Sequence, residues 1–301
     1  MKQLLITLGC SWTFGVGVGY TQNLRWAEYK SIAWDSDLCN TLSFRGILST
    51  KYNLVNKNLS AGGSSNQKQF RLAKMFFSSE EFKKIQKEFD QITVLWGITS
   101  TARNELFFIE DNQLRNFFYS ENSHLAKSLV KFSYDHQNEV DLLEIEMRHW
   151  DNYFENLNIK NLWFDTFNHH DYWNSHKSYY EASAGPDWPT WEKFCCQDFV
   201  NVSSEIIDEI HDTSRWNFGS LGPNLVLRNK RPRDLLSQLA INNGCTDIDN
   251  QFHTSTWDID SNRVSYLIDR GILNPYSHHP TRVGHEQIAN ILDEYVRASF
   301  C

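Results

Sequence analysis

Short apolar runs that alternate with amphipathic stretches constrain the fold of this chain more than any other feature. The apolar runs have the length and near-continuous hydrophobicity of strands buried on both faces of a parallel sheet, and they cover residues 3–8, 52–59, 91–97 and 159–167. Apolar residues at helical spacing predict helices over residues 66–77, 80–89, 138–157 and 281–300. Because strands that alternate with helices build a parallel sheet covered on both sides, the sequence predicts an α/β protein, a three-layer α/β/α sandwich.

Two long stretches break this alternation. Residues 105–136 and 171–270 are polar and aromatic with weak periodicity, and many of the 11 Trp and 12 Tyr residues of the chain fall within them. A length of 301 residues would allow two domains, but one core with inserted segments accounts for it as well. We interpret residues 1–301 as a single domain in which the two aromatic-rich insertions form a cap. Packing within the cap explains their rings better than stacking on sugars does.

The charge balance and the cysteine pattern exclude several classes of protein. With 29 basic against 37 acidic residues and a net charge of −8, the chain lacks the basic surface that nonspecific nucleic-acid binding requires. No apolar stretch approaches the length needed to cross a bilayer, and the N-terminal apolar run is too short for a signal peptide. The six cysteines include no Cys-x-x-Cys pair, which favours reduced thiols. We expect no nucleic-acid or membrane partner, and a cytoplasmic or other non-secreted location.

Open parallel sheets bind ligands at the carboxyl ends of their strands, so the residues that follow each strand are the candidates for function. Ser11 follows the first strand, where its hydroxyl and backbone N–H can face the crevice. Gly62 and Gly63 follow the second strand and let the backbone approach a ligand closely. Thr99 follows the third strand and offers a hydroxyl donor. Near the C-terminus, His279 precedes a proline, which holds it extended and can fix an imidazole as a general base.

Each of these signals also has a structural explanation when it stands alone. A Gly-x-Ser at a strand end is common turn and helix-cap chemistry, and glycine pairs are common in turns. The nucleophile elbow Gly-x-Ser-x-Gly is not satisfied, because Thr13 takes the place of the second glycine. Cys10 could compete with Ser11 as nucleophile, but we expect its side chain to pack under the turn. A catalytic site is favoured because all the signals occur in the expected chain order.

Taken together, these residues resemble the SGNH, or GDSL-like, hydrolase family. Gly9-Cys10-Ser11-Trp12-Thr13 resembles the family's first block, Gly-Asp-Ser-x-Thr, with Cys10 in place of Asp. Residues 58–65 resemble the second block, and Gly97-Ile98-Thr99 resembles the Gly-x-Asn of the third, with Thr99 in place of Asn. Residues 279–285 are similar to the last block, His-Pro-Asn-x-x-Gly-His. The resemblance covers residues 1–104, 138–170 and 271–301.

The resemblance implies a sheet with flavodoxin-like strand order and a serine-dependent hydrolysis of esters. On this basis Ser11 is the nucleophile and His279 the general base, while the N–H groups of Ser11 and Gly63, together with Thr99, form the oxyanion hole. The substrate is expected to be a small-molecule or carbohydrate ester, such as an acetyl or other acyl ester, and no cofactor is expected. Candidate substrate contacts are Trp12, Arg103, His169, His170 and His278.

The sequence departs from the family at the third member of a catalytic triad. The family places an Asp three residues before the catalytic His, and that position holds Tyr276. Asp269 or Asp258 could orient the imidazole if the loop folds back, or a backbone carbonyl could brace His279 in a Ser–His dyad. The same departure supports an alternative function, that of a catalytically degenerate carbohydrate-binding or structural protein that keeps the hydrolase scaffold.

The histidines after the fourth strand suggest a further alternative, a metal-dependent hydrolase. His169 and His170 lie near Asp165, Asp171 and His176 in the sequence, and imidazole with carboxylate suits Zn²⁺ or Fe²⁺. No His-x-x-x-His pair on a predicted helix supports such a site. The sequence therefore predicts no metal, and surface histidines or histidines lining the crevice explain the pair better.

Overall fold

The computed structural model describes residues 1–99, 103–108, 113–118, 136–166, 226, 234–245 and 262–300. The strands in this part of the chain are β1 (Gln3–Leu8), β2 (Val55–Asn58), β3 (Gln91–Ile98), β4 (Arg103–Phe108), β5 (Gln113–Phe118) and β6 (Lys160–Asp165). The helices are α1 (Ser11–Phe14), α2 (Trp26–Ile32), α3 (Ser36–Leu42), α4 (Phe44–Tyr52), α5 (Asn66–Phe77), α6 (Glu80–Glu88), α7 (His136–Asn156), α8 (Leu235–Asn242), α9 (Asn262–Asp269) and α10 (Arg282–Ser299). None of these helices combines the length and the hydrophobicity that a membrane span requires.

Four parallel strands form the central sheet in the order β2-β1-β3-β6. Leu5 of β1 lies opposite Asn56 of β2 and Thr93 of β3, and Trp96 of β3 lies opposite Trp163 of β6. This flavodoxin-like order, with helices on both faces, confirms the predicted α/β/α sandwich. The strand order reverses at β1, so the carboxyl ends of β1 and β3 border the crevice in which such sheets bind ligands.

Side chains that alternate along the strands create a separate apolar core on each face of the sheet. In β1, Leu4 and Ile6 belong to one core and Leu5 to the other. The first core is covered by α5, α6 and α7, which bury residues such as Phe77 against it. The second is covered by α4, α8, α9 and α10, with Leu292 among its members. Full burial of one such side chain contributes about 1.5–3 kcal/mol, so each helical layer is needed for stability.

The predicted elements agree with the structure except at the second strand, which is shorter than predicted, and in the segment before it, which holds helices that were not predicted. Residues 52–59 were predicted as a strand, but β2 begins only at Val55, because Tyr52 still belongs to α4. Asn53 ends that helix with a left-handed backbone, at φ 54°. Helices α2, α3 and α4 were not predicted; α2 and α3 are only seven residues long, too short to show a clear apolar period.

Parts of the two predicted insertions form regular structure. Strands β4 and β5 pair as an antiparallel hairpin at the start of the 105–136 stretch, and Arg71 of α5 forms a salt bridge of 2.8 Å with Glu105 of β4. Helices α8 and α9 fall within residues 171–270 but pack into the core, where Leu235 is fully buried. These two helices therefore belong to the sandwich. The rest of both stretches lies outside the described residues, and the cap remains a prediction.

Candidate active site

A sharp turn between β1 and α1 places Ser11 at the carboxyl end of the sheet. Strand β1 ends at Leu8, and Ser11 is the first residue of the four-residue helix α1. Gly9, between them, has φ +151°, and a Cβ there would lie 2.2 Å from Oγ1 of Thr13. At Gly97 of β3, a Cβ would lie 2.3 Å from the same oxygen. Both positions need glycine because the turn lies so close to β3.

A buried arginine holds the far end of α1. Arg45 of α4 donates from Nε to the carbonyl oxygen of Thr13 at 3.1 Å and from Nη2 to that of Phe14 at 2.8 Å. Its Nη1 donates to Oδ1 of Asn40 at 2.8 Å and of Asn56 at 3.3 Å. Burial lowers the pKa of Arg45 to about 10, so the group stays charged at neutral pH. Since the last carbonyls of a helix carry partial negative charge, this cation anchors the helix that begins with Ser11.

His279 reaches Ser11 from the loop that precedes α10. Its Nε2 lies 2.6 Å from Oγ of Ser11, which is the distance expected between a general base and its nucleophile. An antiparallel bridge between Leu273 and Pro280 closes the loop. The loop packs against Gly17, where φ is +102° and a Cβ would lie 2.3 Å from the carbonyl oxygen of Pro280. The structure thus brings together the two residues predicted as nucleophile and base.

The imidazole of His279 is neutral at physiological pH. Burial, followed by the positive charge of Arg103, lowers the pKa of His279 to about 3. A backbone hydrogen bond with Ser277 raises that pKa, but burial outweighs it, and His278 lowers the pKa slightly further. A neutral imidazole has a free lone pair and can accept the proton of Ser11.

Among the described residues, the second ring nitrogen of His279 contacts a hydroxyl and no carboxylate. Nδ1 lies 2.9 Å from Oγ of Ser277. That oxygen lies 2.7 Å from the phenol oxygen of Tyr29 and 3.1 Å from Oδ1 of Asn274. Tyr29 and Asn274 are both fully buried. The neighbour of the base is therefore a small network of neutral polar groups.

Of the two acidic residues considered for this role, only Asp269 is described, and it does not reach the imidazole. Asp269 is exposed at the end of α9, and no hydrogen bond joins it to His279 in the part of the chain described. Asp258 lies outside the described residues. Tyr276, which occupies the family's Asp position, turns away and donates its hydroxyl to the carbonyl oxygen of Leu24 at 2.8 Å. Among the described residues, Nδ1 of His279 contacts the hydroxyl of Ser277, a partner that the sequence had not suggested.

The residues predicted as oxyanion donors retain unused hydrogen-bonding capacity. Gly63 has a left-handed backbone, at φ 62°. Within the described ranges, the N–H groups of Ser11 and Gly63 make no hydrogen bond, and the hydroxyl of Thr99 is buried there without a partner. Because buried polar groups normally find partners, the hydroxyl of Thr99 is a candidate contact for a ligand oxygen.

Two amide side chains of α5 tie the turns after β1, β2 and β3 together. The amide of Asn66 donates to the carbonyl oxygen of Thr99 at 2.7 Å and accepts the N–H of Thr99 at 3.0 Å. Gln69 accepts the N–H of Gly9 at 2.9 Å and donates to Oγ of Ser64 at 2.6 Å. One helix therefore fixes the spacing of the three loops from which the candidate donors come.

The predicted substrate contacts differ in where the structure places them. Trp12 is 1% exposed and packs in the core beneath α1, whereas the sequence had suggested a contact with substrate. Arg103 is buried at the start of β4, and its charge acts on His279. His278 is buried beside His279, with a left-handed backbone at φ 54°. His169 and His170 lie outside the described residues.

Two further alternatives from the sequence can be located. Cys10 is fully buried in the core under the turn, as expected for a thiol that does not compete with Ser11. Among the described residues, no group of His, Cys, Asp and Glu side chains is arranged to hold a metal ion. A groove between α5 and α7 is lined by residues such as Phe70 and Trp150, and neither Ser11 nor His279 borders it.

Sequence analysis missed the residues that support the contact between Ser11 and His279. Of these, Asn274 carries a local signal, because an Asn-Pro dipeptide favours a turn. The others stand on helices or in a loop without a motif and act through tertiary contacts alone. The full set of supporting residues is Tyr29, Arg45, Asn66, Gln69, Asn274 and Ser277.

Comparisons with known proteins leave the activity to be inferred from this geometry. No family model and no curated protein matches the chain. Among solved structures, the chain is similar to the lipase/acylhydrolase from Enterococcus faecalis, with a TM-score of 0.41 and 9% identity over 99% of this chain and 96% of that one. A likeness at this level does not bear on what the chain does.

Proposed function

We propose that this chain is a serine-dependent ester hydrolase in which Ser11 is the nucleophile and His279 the general base. The observation that carries the proposal is the 2.6 Å contact between Oγ of Ser11 and Nε2 of His279. It occurs at the carboxyl end of β1, next to the position where the strand order reverses. A serine in contact with a neutral histidine is the arrangement that activates a hydroxyl for attack on a carbonyl carbon.

The reaction would proceed in two steps. The hydroxyl proton of Ser11 passes to Nε2 of His279 as Oγ attacks the ester carbonyl, which gives a tetrahedral oxyanion. That intermediate collapses, the C–O bond to the alcohol breaks, and the imidazolium protonates the departing alkoxide. Water then attacks the acyl-serine with His279 again as base, which releases the acid and restores Ser11.

The oxyanion would be held by the N–H groups of Ser11 and Gly63 and by the hydroxyl of Thr99. Each is without a partner among the described groups. Donors that are already fixed stabilise the developing charge without reorganisation, and removal of one such donor in subtilisin lowers kcat by about 10²–10³. Asn66 and Gln69 would act as positioning residues that hold these loops in register.

The substrate we favour is an acetyl or other small acyl ester whose alcohol is a carbohydrate. Trp34 supports this choice because it is 51% exposed and its ring covers Gly62, where a Cβ would lie 2.0 Å from it. The ring also lies 5.6 Å from that of Phe14, at the end of α1. The mouth of the site beside Gly63 thus offers an apolar ring face on which a sugar can stack.

A fluorophosphonate probe, which modifies activated serines covalently, tests the proposal. We expect stoichiometric labelling of the wild-type chain, complete loss in Ser11→Ala, and unchanged labelling in Ser31→Ala, which alters an exposed serine on α2. Failure to label folded wild-type protein would contradict the proposal.

A non-catalytic carbohydrate-binding protein on the same scaffold is the second candidate. It is favoured by one observation, that within the described part of the chain Nδ1 of His279 contacts Ser277 and no carboxylate. In the serine proteases, a change that removes the carboxylate lowers kcat by about 10⁴. Under this candidate, sugars would bind near Trp34 while neither the probe nor an activated ester would react with Ser11. The compartment and the absence of nucleic-acid partners remain predictions.

A further inference from the structure

We infer that Asn274 and Ser277 together fix the proton of His279 on Nδ1, so that an amide and a hydroxyl do here what a carboxylate does in a catalytic triad. The tautomer itself follows from hydrogen bonding alone. Its catalytic consequence rests on the proposed ester hydrolysis.

The argument begins with the orientation of the Asn274 amide. Its Nδ2 donates to the carbonyl oxygen of His279 at 2.9 Å, and this acceptor can pair only with the NH₂ side of the amide. Its Oδ1 receives the backbone N–H groups of Tyr276 at 3.1 Å and Ser277 at 2.8 Å. Because both sides of the amide face backbone groups of known polarity, Oδ1 can only be an acceptor.

The next step concerns the single proton of the Ser277 hydroxyl. Oγ of Ser277 forms a hydrogen bond of 3.1 Å with Oδ1 of Asn274, and Oδ1 carries no proton of its own. The hydroxyl therefore donates to Asn274, which leaves only its lone pairs for its other neighbours. One is filled by the phenol of Tyr29 at 2.7 Å, whose own oxygen accepts from Nδ2 of Asn274 at 3.3 Å.

The remaining lone pair of Ser277 faces Nδ1 of His279 at 2.9 Å. Nδ1 must then carry the ring proton and donate it to Oγ. In a neutral imidazole the other nitrogen is an acceptor, so Nε2 presents its lone pair to the hydroxyl of Ser11 at 2.6 Å. This is the tautomer that a general base needs, and no charged group is required to select it.

The supporting groups are held firmly enough to keep this pattern. Asn274 is 0% and Tyr29 is 1% exposed. The backbone N–H of Asn274 also donates to the carbonyl oxygen of His279, at 2.9 Å. Tyr29 packs against Tyr276 with ring centroids 5.8 Å apart. A preorganised neutral network orients the imidazole, but it offers no negative charge to stabilise the imidazolium formed during the reaction.

Long-range ¹H–¹⁵N NMR of the full chain with ¹⁵N-labelled histidine tests the tautomer directly, with His279→Gln to assign the ring. We expect wild-type His279 to be protonated on Nδ1, and Ser277→Ala to convert part of the population to the Nε2–H form. Ser277→Thr keeps the hydroxyl and should restore the wild-type spectrum. Tyr276→Phe removes a hydroxyl from the same loop that does not contact His279, and should leave the spectrum unchanged.

Kinetics with p-nitrophenyl acetate give the second readout. Ser277→Ala should lower kcat about 10- to 100-fold, part of what a general base contributes, with KM changed less than about twofold, and Ser277→Thr should recover most of the loss. An Nε2–H tautomer in the wild type would overturn the inference. So would a Ser277→Ala variant that matches Tyr276→Phe in both spectrum and kcat, since the backbone of Ser277 would then be sufficient. If the wild type proves inactive, the proposed function fails while the NMR result still decides the tautomer.

Discussion

Two buried neutral histidines should make the stability of this chain fall steeply in mild acid. Burial first, and then the charge of a nearby arginine, lower the pKa of His279 to about 3. His285 of α10 is also fully buried. Its Nδ1 accepts the N–H of Phe44 at 3.4 Å, and burial lowers its pKa to about 3 as well, with a smaller contribution from Arg45.

The sign and size of the effect follow from proton linkage. In the unfolded chain each imidazole binds a proton below about pH 6.5, whereas in the folded protein it stays neutral until about pH 3. The stabilising contribution is complete above the unfolded pKa and is lost as the pH falls below it. From pH 7 to pH 5 each histidine should cost about 2 kcal/mol of the free energy of unfolding, or about 4 kcal/mol for the two, out of a typical total of 5–15 kcal/mol.

Urea unfolding followed by circular dichroism at several pH values between 7 and 5 measures this loss. The variants His279→Gln and His285→Gln should each reduce the pH dependence by about one proton, or about 1.4 kcal/mol per pH unit at the acid end of the range. His149→Gln, at an exposed position of α7, serves as the control. A wild-type free energy of unfolding that is equal at pH 7 and pH 5, or buried-site variants with the slope of the control, would refute the reasoning.

Three further changes test other parts of the site. Arg45→Met should lower the free energy of unfolding by about 2–4 kcal/mol in urea titrations, because it leaves buried carbonyls of α1 without donors. Arg25→Met, at an exposed position, should have little effect. Equal losses of stability in the two variants would contradict the role given to Arg45. Gly97→Ala should lower the free energy of unfolding by about 1–3 kcal/mol through overpacking. Adding Thr13→Ala to the same chain should restore part of that stability, since Oγ1 of Thr13 is the nearest atom to the new Cβ. No recovery would mean that the clash with Phe164 determines the loss instead. Trp34→Ala should raise the KM for acetylated sugars about 10-fold by removal of the stacking face, and should leave the KM for p-nitrophenyl acetate unchanged. Trp26, which is equally exposed at 51%, provides the control, since Trp26→Ala should change neither KM. A Trp34→Ala variant with an unchanged KM for acetylated sugars would exclude stacking on this ring.

The parts of the fold that could be predicted are those written in local patterns. The run Gln3–Leu8 and the strand Gln91–Ile98 show nearly continuous hydrophobicity, and their alternating side chains serve two cores at once. Ser11 could be proposed because it follows such a strand, and His279 because it precedes the predicted C-terminal helix. Helices as short as Ser36–Leu42 could not, since seven residues hold too few apolar positions to reveal a period.

The residues that orient His279 could not be predicted from the sequence for a different reason. Tyr29 meets Ser277 across 248 positions, and only the folded chain brings them together. The sequence analysis considered only charged side chains as partners of His279, whereas in the structure the turn around Asn274 places the hydroxyl of Ser277 next to Nδ1. Asp269 was considered on sequence proximity, and its exposure at the end of α9 shows that proximity along the chain does not determine direction.

The central claim is that Ser11 and His279 hydrolyse esters as nucleophile and general base, and steady-state turnover of p-nitrophenyl acetate tests it most directly. We predict that the wild-type chain turns over the ester well above the rate in buffer, and that Ser11→Ala and His279→Ala each lower kcat by at least about 10²-fold. Wild-type turnover no faster than the buffer background, or a Ser11→Ala variant that retains the wild-type rate, would contradict it.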